Sequence, residues 1–304
     1  MRQRSRRFKG YVSIIGTIIL WSWAVIFIKI LSEYFDPVTQ NFYRYSSAAF
    51  ILLLACFFNN RSNRNMSIDN ISPRILIPAL LVFSYQMFTV YGIYLTTPTI
   101  ASLIMRTNVI FINIMSFILF EEERRIIRRR NFLLGLVLAF IGVIGISLKG
   151  ANYGKLISFD IGALMVLLGT IFWASYIISI KILLRRTEPL PLTAIVFSIA
   201  SIIFLPTTLF LGEIDKVIKV TLSIDLLLIG SGILCVGIGN FINYIAIKEL
   251  GAATTSSLQL MIPLFTGIFS YIVIGETLSQ GELLFGGLLL LGCGIIIRET
   301  ALHQ

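Results

Sequence analysis

WSWAVIFIKILSEYFDP, residues 21–37, returns at residues 173–189 as WASYIISIKILLRRTEP. Trp21, Lys29 and Pro37 stand opposite Trp173, Lys181 and Pro189, each pair 152 residues apart (173 − 21, 181 − 29, 189 − 37). A tryptophan, an isolated lysine and a proline are not interchangeable fillers of an apolar helix, so their return in order marks an internal duplication. The later part of each copy agrees at a spacing of 155, where Ser102 meets Ser257, Asn108 meets Pro263 and Glu121 meets Glu276. A basic insertion between Glu121 and Asn131 then shifts the register, and Gly135 and Gly142 realign with Gly287 and Gly294. The chain therefore divides into a basic N-terminus, 1–10, a first repeat, 11–151, a second, 152–298, and a tail, 299–304.

Both copies are strongly apolar. Of 304 residues 57% are hydrophobic and 13% charged, and the mean hydropathy is +0.90, a composition that water alone does not accommodate. A helix needs about 20 apolar residues to span the hydrocarbon core. Such stretches fall at 11–31, 39–58, 75–95, 99–120, 132–149, 159–181, 192–211, 225–247, 253–274 and 282–298. The first runs too far past Arg7 for a cleaved secretory signal and is expected to be retained. The expected fold is an all-α membrane protein. Ten transmembrane helices would form two five-helix repeats around a central cavity. An odd number of spans per repeat inserts the second copy upside down, and two inverted halves can tilt toward either side of the membrane.

The formal charge of +10 orients the chain and does not point to nucleic acid. With the N-terminus in the cytoplasm, Arg2, Arg4, Arg6, Arg7, Lys9, Arg61, Arg64, Arg74, Arg124, Arg125, Arg128, Arg129, Arg130, Arg185 and Arg186 share that side. Few basic residues, chiefly Lys149, Lys155, Lys216 and Lys219, lie opposite. Both termini are thus expected on the cytoplasmic side of the membrane, and the loop Arg124 to Arg130 should attract anionic lipid headgroups. Cys56, Cys235 and Cys293 sit in apolar spans with neither disulfide nor metal spacing, and read as packing residues. A Gly-Lys-Ser/Thr phosphate loop is absent, which argues against a self-contained ATP pump. No cofactor is implied, and a monomer or a homodimer is compatible with the pattern.

The tryptophan-to-lysine first helix, Arg44 within Asn41 to Ala49, the stretch Gly251 to Pro263, the Gly275-Glu276 end and the glycine-rich last helix resemble the EamA branch of the drug/metabolite transporter superfamily. The resemblance covers nearly the whole chain. It implies a ten-helix carrier whose cavity is lined by the first, third, fourth, sixth, eighth and ninth helices, with the fifth and tenth peripheral. Export, and amino acids or related compounds as substrates, are also implied by the resemblance.

Arg106 is the sharpest candidate, because a central arginine costs about 2.5–3.5 kcal/mol on insertion scales. It shares a helical face with Ser102 and Asn113. That face would meet an anionic substrate group, or Arg106 would pair with a helix C-terminus or a carboxylate. Its repeat equivalent is Met261, so the fold does not demand the charge. Asn240, Asn243 and Tyr244 form a polar face on the eighth span, opposite Tyr85 on the third, where Gln86 adds an amide. Substrate binding and interhelical hydrogen bonding both fit that face. Trp21 and Trp173 lie deep in their spans, placed to stack on a substrate or against neighbouring helices. Lys29 and Arg44 would form an external vestibule or a gate. Lys181 is expected to snorkel to water. The glycines of the fifth and tenth spans should permit close helix approach.

No acidic residue falls in the middle of a span, which disfavours proton-coupled export of cationic drugs. The sequence reads as a secondary carrier of a small polar metabolite and not as an enzyme. A paired acid and base is missing, and the one histidine, His303, is in the tail. Nucleotide-like substrates, drugs and a non-transporting membrane scaffold are the alternatives.

Overall fold

The computed structural model describes residues 2–59, 73–95, 101, 104–147, 161–274 and 280–303. Its long helices are α1 (Arg2–Leu31), α2 (Pro37–Phe58), α3 (Leu76–Leu95), α4 (Asn108–Leu119), α5 (Glu121–Ile127), α6 (Arg130–Ser147), α7 (Ile161–Leu184) and α8 (Pro189–Leu211). After the single turn α9 (Lys216–Lys219) come α10 (Leu222–Ser231), α11 (Gly239–Leu250), α12 (Ala252–Leu258), α13 (Ile262–Ile274) and α14 (Gln280–His303). A π-helical stretch, Gly232–Ile238, joins α10 to α11 without a break. Among the described residues eight helical runs are long and apolar enough to cross a membrane. Residues 104–119 form a shorter apolar helix, and α5 and α6 are bent 74° apart.

The prolines of the duplicated stretch explain where helices start. Pro37 and Pro189 open α2 and α8, a position where the missing N–H costs nothing and the fixed φ suits a helix. Asp36 caps α2, its Oδ1 accepting from the Val38 and Thr39 amides at 3.0 and 2.9 Å, and its Oδ2 takes the Glu213 amide at 3.0 Å. Asp36→Ala should lower stability by about 1 kcal/mol, the usual cost of losing a cap, measurable as a reduced Tm of purified protein. Pro263 accounts for a break in the opposite sense. Lacking an N–H, it cannot bond back to residue 259, and a 3₁₀ turn, Gln259–Met261, separates α12 from α13.

Helices pack closely in pairs: α3 with α7, α1 with α11, α2 with α8, and α6 with α14. Small residues set the closest approaches. A Cβ on Gly142 of α6 would stand 2.7 Å from the Phe285 carbonyl oxygen of α14, and one on Gly135 would stand 2.7 Å from that of Gly292. Gly287 and Gly294 differ from the sequence expectation, since a Cβ there would meet nothing within 4 Å. They lie on the face of α14 turned away from its partners. Large apolar side chains cover the outside of the bundle, among them Phe50, Ile202, Phe210 and Leu284 at 68%, 68%, 86% and 77% exposure. Apolar surface of this extent suits lipid as the surrounding solvent.

Candidate functional site

A cavity of about 230 Å³ lies within the bundle, walled by α1, α2, α3, the 104–119 run, α7, the π-helical stretch, α11 and the 3₁₀ turn before α13. Trp21, Arg44, Tyr85, Gln86, Arg106, Trp173 and Asn240 all line it, so seven residues singled out in the sequence converge on one space. The convergence is built largely by aromatic packing. Trp173 meets Trp21 edge-on at 5.8 Å between ring centroids, lies 4.8 Å from Tyr85, and is 5.1 Å from Tyr176. The Trp21 indole N–H donates to the Cys235 carbonyl at 3.1 Å, and the Gln86 amide donates to the Tyr45 hydroxyl at 3.2 Å. The cavity thus has apolar aromatic walls with a few fixed polar groups, the usual make-up of a small-molecule site.

Tyr244, Asn243 and Asn113 are placed beside this space without lining it. Tyr244 and Tyr176 are fully buried and share a 2.5 Å hydrogen bond. Gln259 donates to Asn243 at 2.8 Å. Asn113 donates to the Val109 carbonyl at 2.8 Å and to the Ser257 hydroxyl at 3.3 Å. Apart from the Asn113–Val109 bond, which lies within one helix, these bonds join separate helical segments, the alternative weighed for Asn243 and Tyr244. Ser102 lies outside the described residues, as does the Lys29 side chain. Arg44, expected at a vestibule or gate, is 4% exposed in the cavity wall.

The cavity is displaced toward the Asp36 end of the bundle. Ile28 near the end of α1, Arg44 near the start of α2, and Met105 and Arg106 near the start of their run belong to its lining. At the opposite end, helices of the two repeats are linked through Glu123. This carboxylate, 2% exposed, accepts the Ala252 amide at 2.6 Å on Oε1 and the Ala253 amide at 2.9 Å on Oε2. Lys181 forms an ion pair with it, and Arg185 donates to the neighbouring Glu122 at 2.6 Å. The Lys181 ammonium also sits 4.2 Å from the centre of the Phe120 ring.

Two expectations change here. Lys181 is buried, at 7% exposure, and does not snorkel, because an acid inside the protein offers it a stronger partner than the interface. The segment from Glu121 is a helix and not an open loop. Its acidic first turn and basic last turn suit the helix dipole, and Arg124 folds back to the Phe117 and Ile118 carbonyls at 2.8 Å each.

Sequence reasoning stopped at Glu121, the repeat-matched residue, which is exposed and pairs with the exposed Arg125. Glu123, two positions on, carries the buried contact. A usable signal was present in Gly251, which precedes a run of small residues able to start a helix and leaves amides for an acid to cap. Tyr45, Thr170 and Gln259 also line the cavity and were not singled out, and Cys235, read from the sequence as a packing residue, lines it too.

The EamA-like transporter family model matches this chain twice, over residues 8–148 and 160–298. The chain belongs to the EamA-like transporter family. Relatives matched over most of its length are similar at low identity. A protein of Methanothermobacter thermautotrophicus is 27% identical over 96% of this chain and 87% of its own. One of Archaeoglobus fulgidus is 24% identical over 97% and 99%, and YyaM of Bacillus subtilis is 22% identical over 93% and 91%. Each is described as an uncharacterized transporter. A solved crystal structure, 15% identical, superposes with a TM-score of 0.77 over 99% of each chain and shows the same fold. This EamA-like protein is accordingly a multi-span membrane transporter, and its two family matches meet across the cavity. α1, α2, α3 and the 104–119 run come from the first match, and α7, the π-helical stretch, α11 and the 3₁₀ turn from the second.

Proposed function

We propose that this EamA-like transporter is a secondary carrier that moves a small polar metabolite bearing an anionic group, an amino acid or related compound, out across the bacterial inner membrane. Alternating access between two inverted five-span repeats would carry the substrate, with both termini cytoplasmic. The observation that carries this reading is Arg106, an arginine in the wall of an inter-repeat cavity whose lining holds no Asp or Glu among the described residues. Such a group is complementary to a carboxylate or phosphate and repels a lipophilic cation. The cavity is small beside the roughly 300–1,000 Å³ of drug-sized sites, which favours a metabolite over a nucleotide.

Support for a two-fold relation between the halves comes from the packing pairs. Exchanging the halves turns the contact of α3 with α7 into that of α11 with α1, and leaves α2 with α8 and α6 with α14 unchanged. Two halves related in this way have two tilts of similar energy. The positive-inside bias assigns the end bearing Glu123 to the cytoplasm.

Counterflow in proteoliposomes tests the reading, with labelled amino acids, a nucleotide-type metabolite and a cationic dye offered to wild type and to Arg106→Met. Saturable exchange of the amino-acid class is expected, reduced at least about tenfold in the folded variant, the loss of a charge-assisted contact of about 1.4 kcal/mol or more. Preferential exchange of the dye, or equal exchange by both proteins, would overturn it.

A further inference from the structure

The central cavity holds two guanidinium groups. Arg106 enters from the 104–119 run and Arg44 from α2, and the Nε atoms of both are buried without a hydrogen-bond partner. Among the described residues the ion pairs are formed by other side chains, and no carboxylate lines the cavity. Two nearby polar groups are already engaged. The Trp21 N–H is held by the Cys235 carbonyl and the Gln86 amide by Tyr45.

One further group in the wall is unsatisfied, and it is an acceptor. Asn240 donates its Nδ2 to the Val236 carbonyl at 2.9 Å, which leaves its buried Oδ1 without a partner. Buried polar groups are normally bonded, and a buried charge is normally paired. A ligand with a single carboxylate would neutralise one guanidinium and leave the other uncompensated in an aromatic, low-dielectric wall. Two negative charges match the two guanidinium groups one for one, and a hydroxyl or ammonium on the same molecule satisfies Asn240.

We propose that Arg44 is a second anion-binding residue of this cavity and that its ligand carries two negative charges, on two carboxylates or on one phosphate monoester, together with a hydrogen-bond donor for Asn240 Oδ1. A hydroxylated or amino dicarboxylate and a phosphate monoester share this chemistry. The inference rests on the carrier reading for what the cavity is used for, but concerns only what it binds.

Binding to purified protein in nanodiscs tests it, by calorimetry and by the shift in Tm. The two-charge probes are malate, L-glutamate and glycerol 3-phosphate, set against lactate, L-glutamine and glycerol as counterparts with fewer charges. At least one two-charge probe should bind at least about tenfold more tightly than its counterpart, and the one that does identifies the anion source. Arg44→Gln should remove that discrimination, while Arg44→Lys retains part of it. The wild-type ratio and the lysine variant decide the matter even where the glutamine variant does not fold. Equal binding of the counterparts, undiminished affinity in Arg44→Gln, or binding by none of the three two-charge probes overturns the proposal. Saturable counterflow of a singly charged amino acid, unaffected by Arg44→Gln, would leave the carrier reading standing and end this one. Two-charge binding without any counterflow would do the reverse.

Discussion

Glu123→Ala is expected to lower the stability of the protein by about 3–5 kcal/mol, the range seen when one partner of a buried ion pair is removed. Every 1.4 kcal/mol is a factor of ten in an equilibrium, so this is the largest single-residue effect anticipated. The magnitude follows from what is left behind. The Lys181 ammonium loses its buried partner, and the Ala252 and Ala253 amides lose the oxygens they bond. Two backbone donors would thus be stranded by the loss of one side chain, and Lys181 would be left with the half-exposed Glu122, 3.7 Å away. Thermal unfolding of the purified protein in one detergent measures the shift. Lys181→Met in the same background should recover part of the loss by removing the charge that has lost its buried partner. A Tm within 2 °C of wild type for Glu123→Ala would show that water reaches the junction and that the burial does not govern its energetics.

Gly251→Ala should destabilise the same junction from the backbone side, by about 1–3 kcal/mol of conformational strain plus the displacement of the carboxylate. Gly251 has φ 89° and ψ 163°, a region that residues with a Cβ scarcely enter. The added methyl would stand 2.6 Å from Glu123 Oε1. The two substitutions attack one arrangement and should not be additive. Once Glu123→Ala has vacated the space, Gly251→Ala should cost only its backbone strain. A double-mutant cycle on Tm measures the difference, and full additivity would separate the turn from the acid.

Much of the architecture was legible because it depends on long-wavelength features of the sequence. Trp21 and Trp173 and the two prolines announced the duplication, and every expected span for which residues are described contains helix. Convergence of Arg106, Trp21, Trp173, Tyr85, Gln86 and Asn240 on one cavity was accessible because the polar residues of apolar helices have few places to go. Partner choice was not legible. Asn243 and Tyr244 share a helix face with Asn240, yet each bonds to a side chain on another helix, and a few degrees of rotation decide between such outcomes. Glu123 escaped because repeat matching selects what the two halves share. The junction it forms joins α5 of one half to α7 and α12 of the other, and cross-element pairing of that kind leaves no period in the sequence.

The π-helical stretch sets the angular phase of everything after it in its span. Successive α-helical residues turn by about 100°, so positions five apart point about 140° away from each other. Cys235 and Asn240 are five apart and still line the same cavity, which the wider π turn between Gly232 and Ile238 permits. The corresponding span of the first half, α3, is α-helical throughout. One residue's worth of winding therefore separates the two halves at the wall of the cavity, and it rotates Asn240 to a bearing that its counterpart Tyr85 reaches without it.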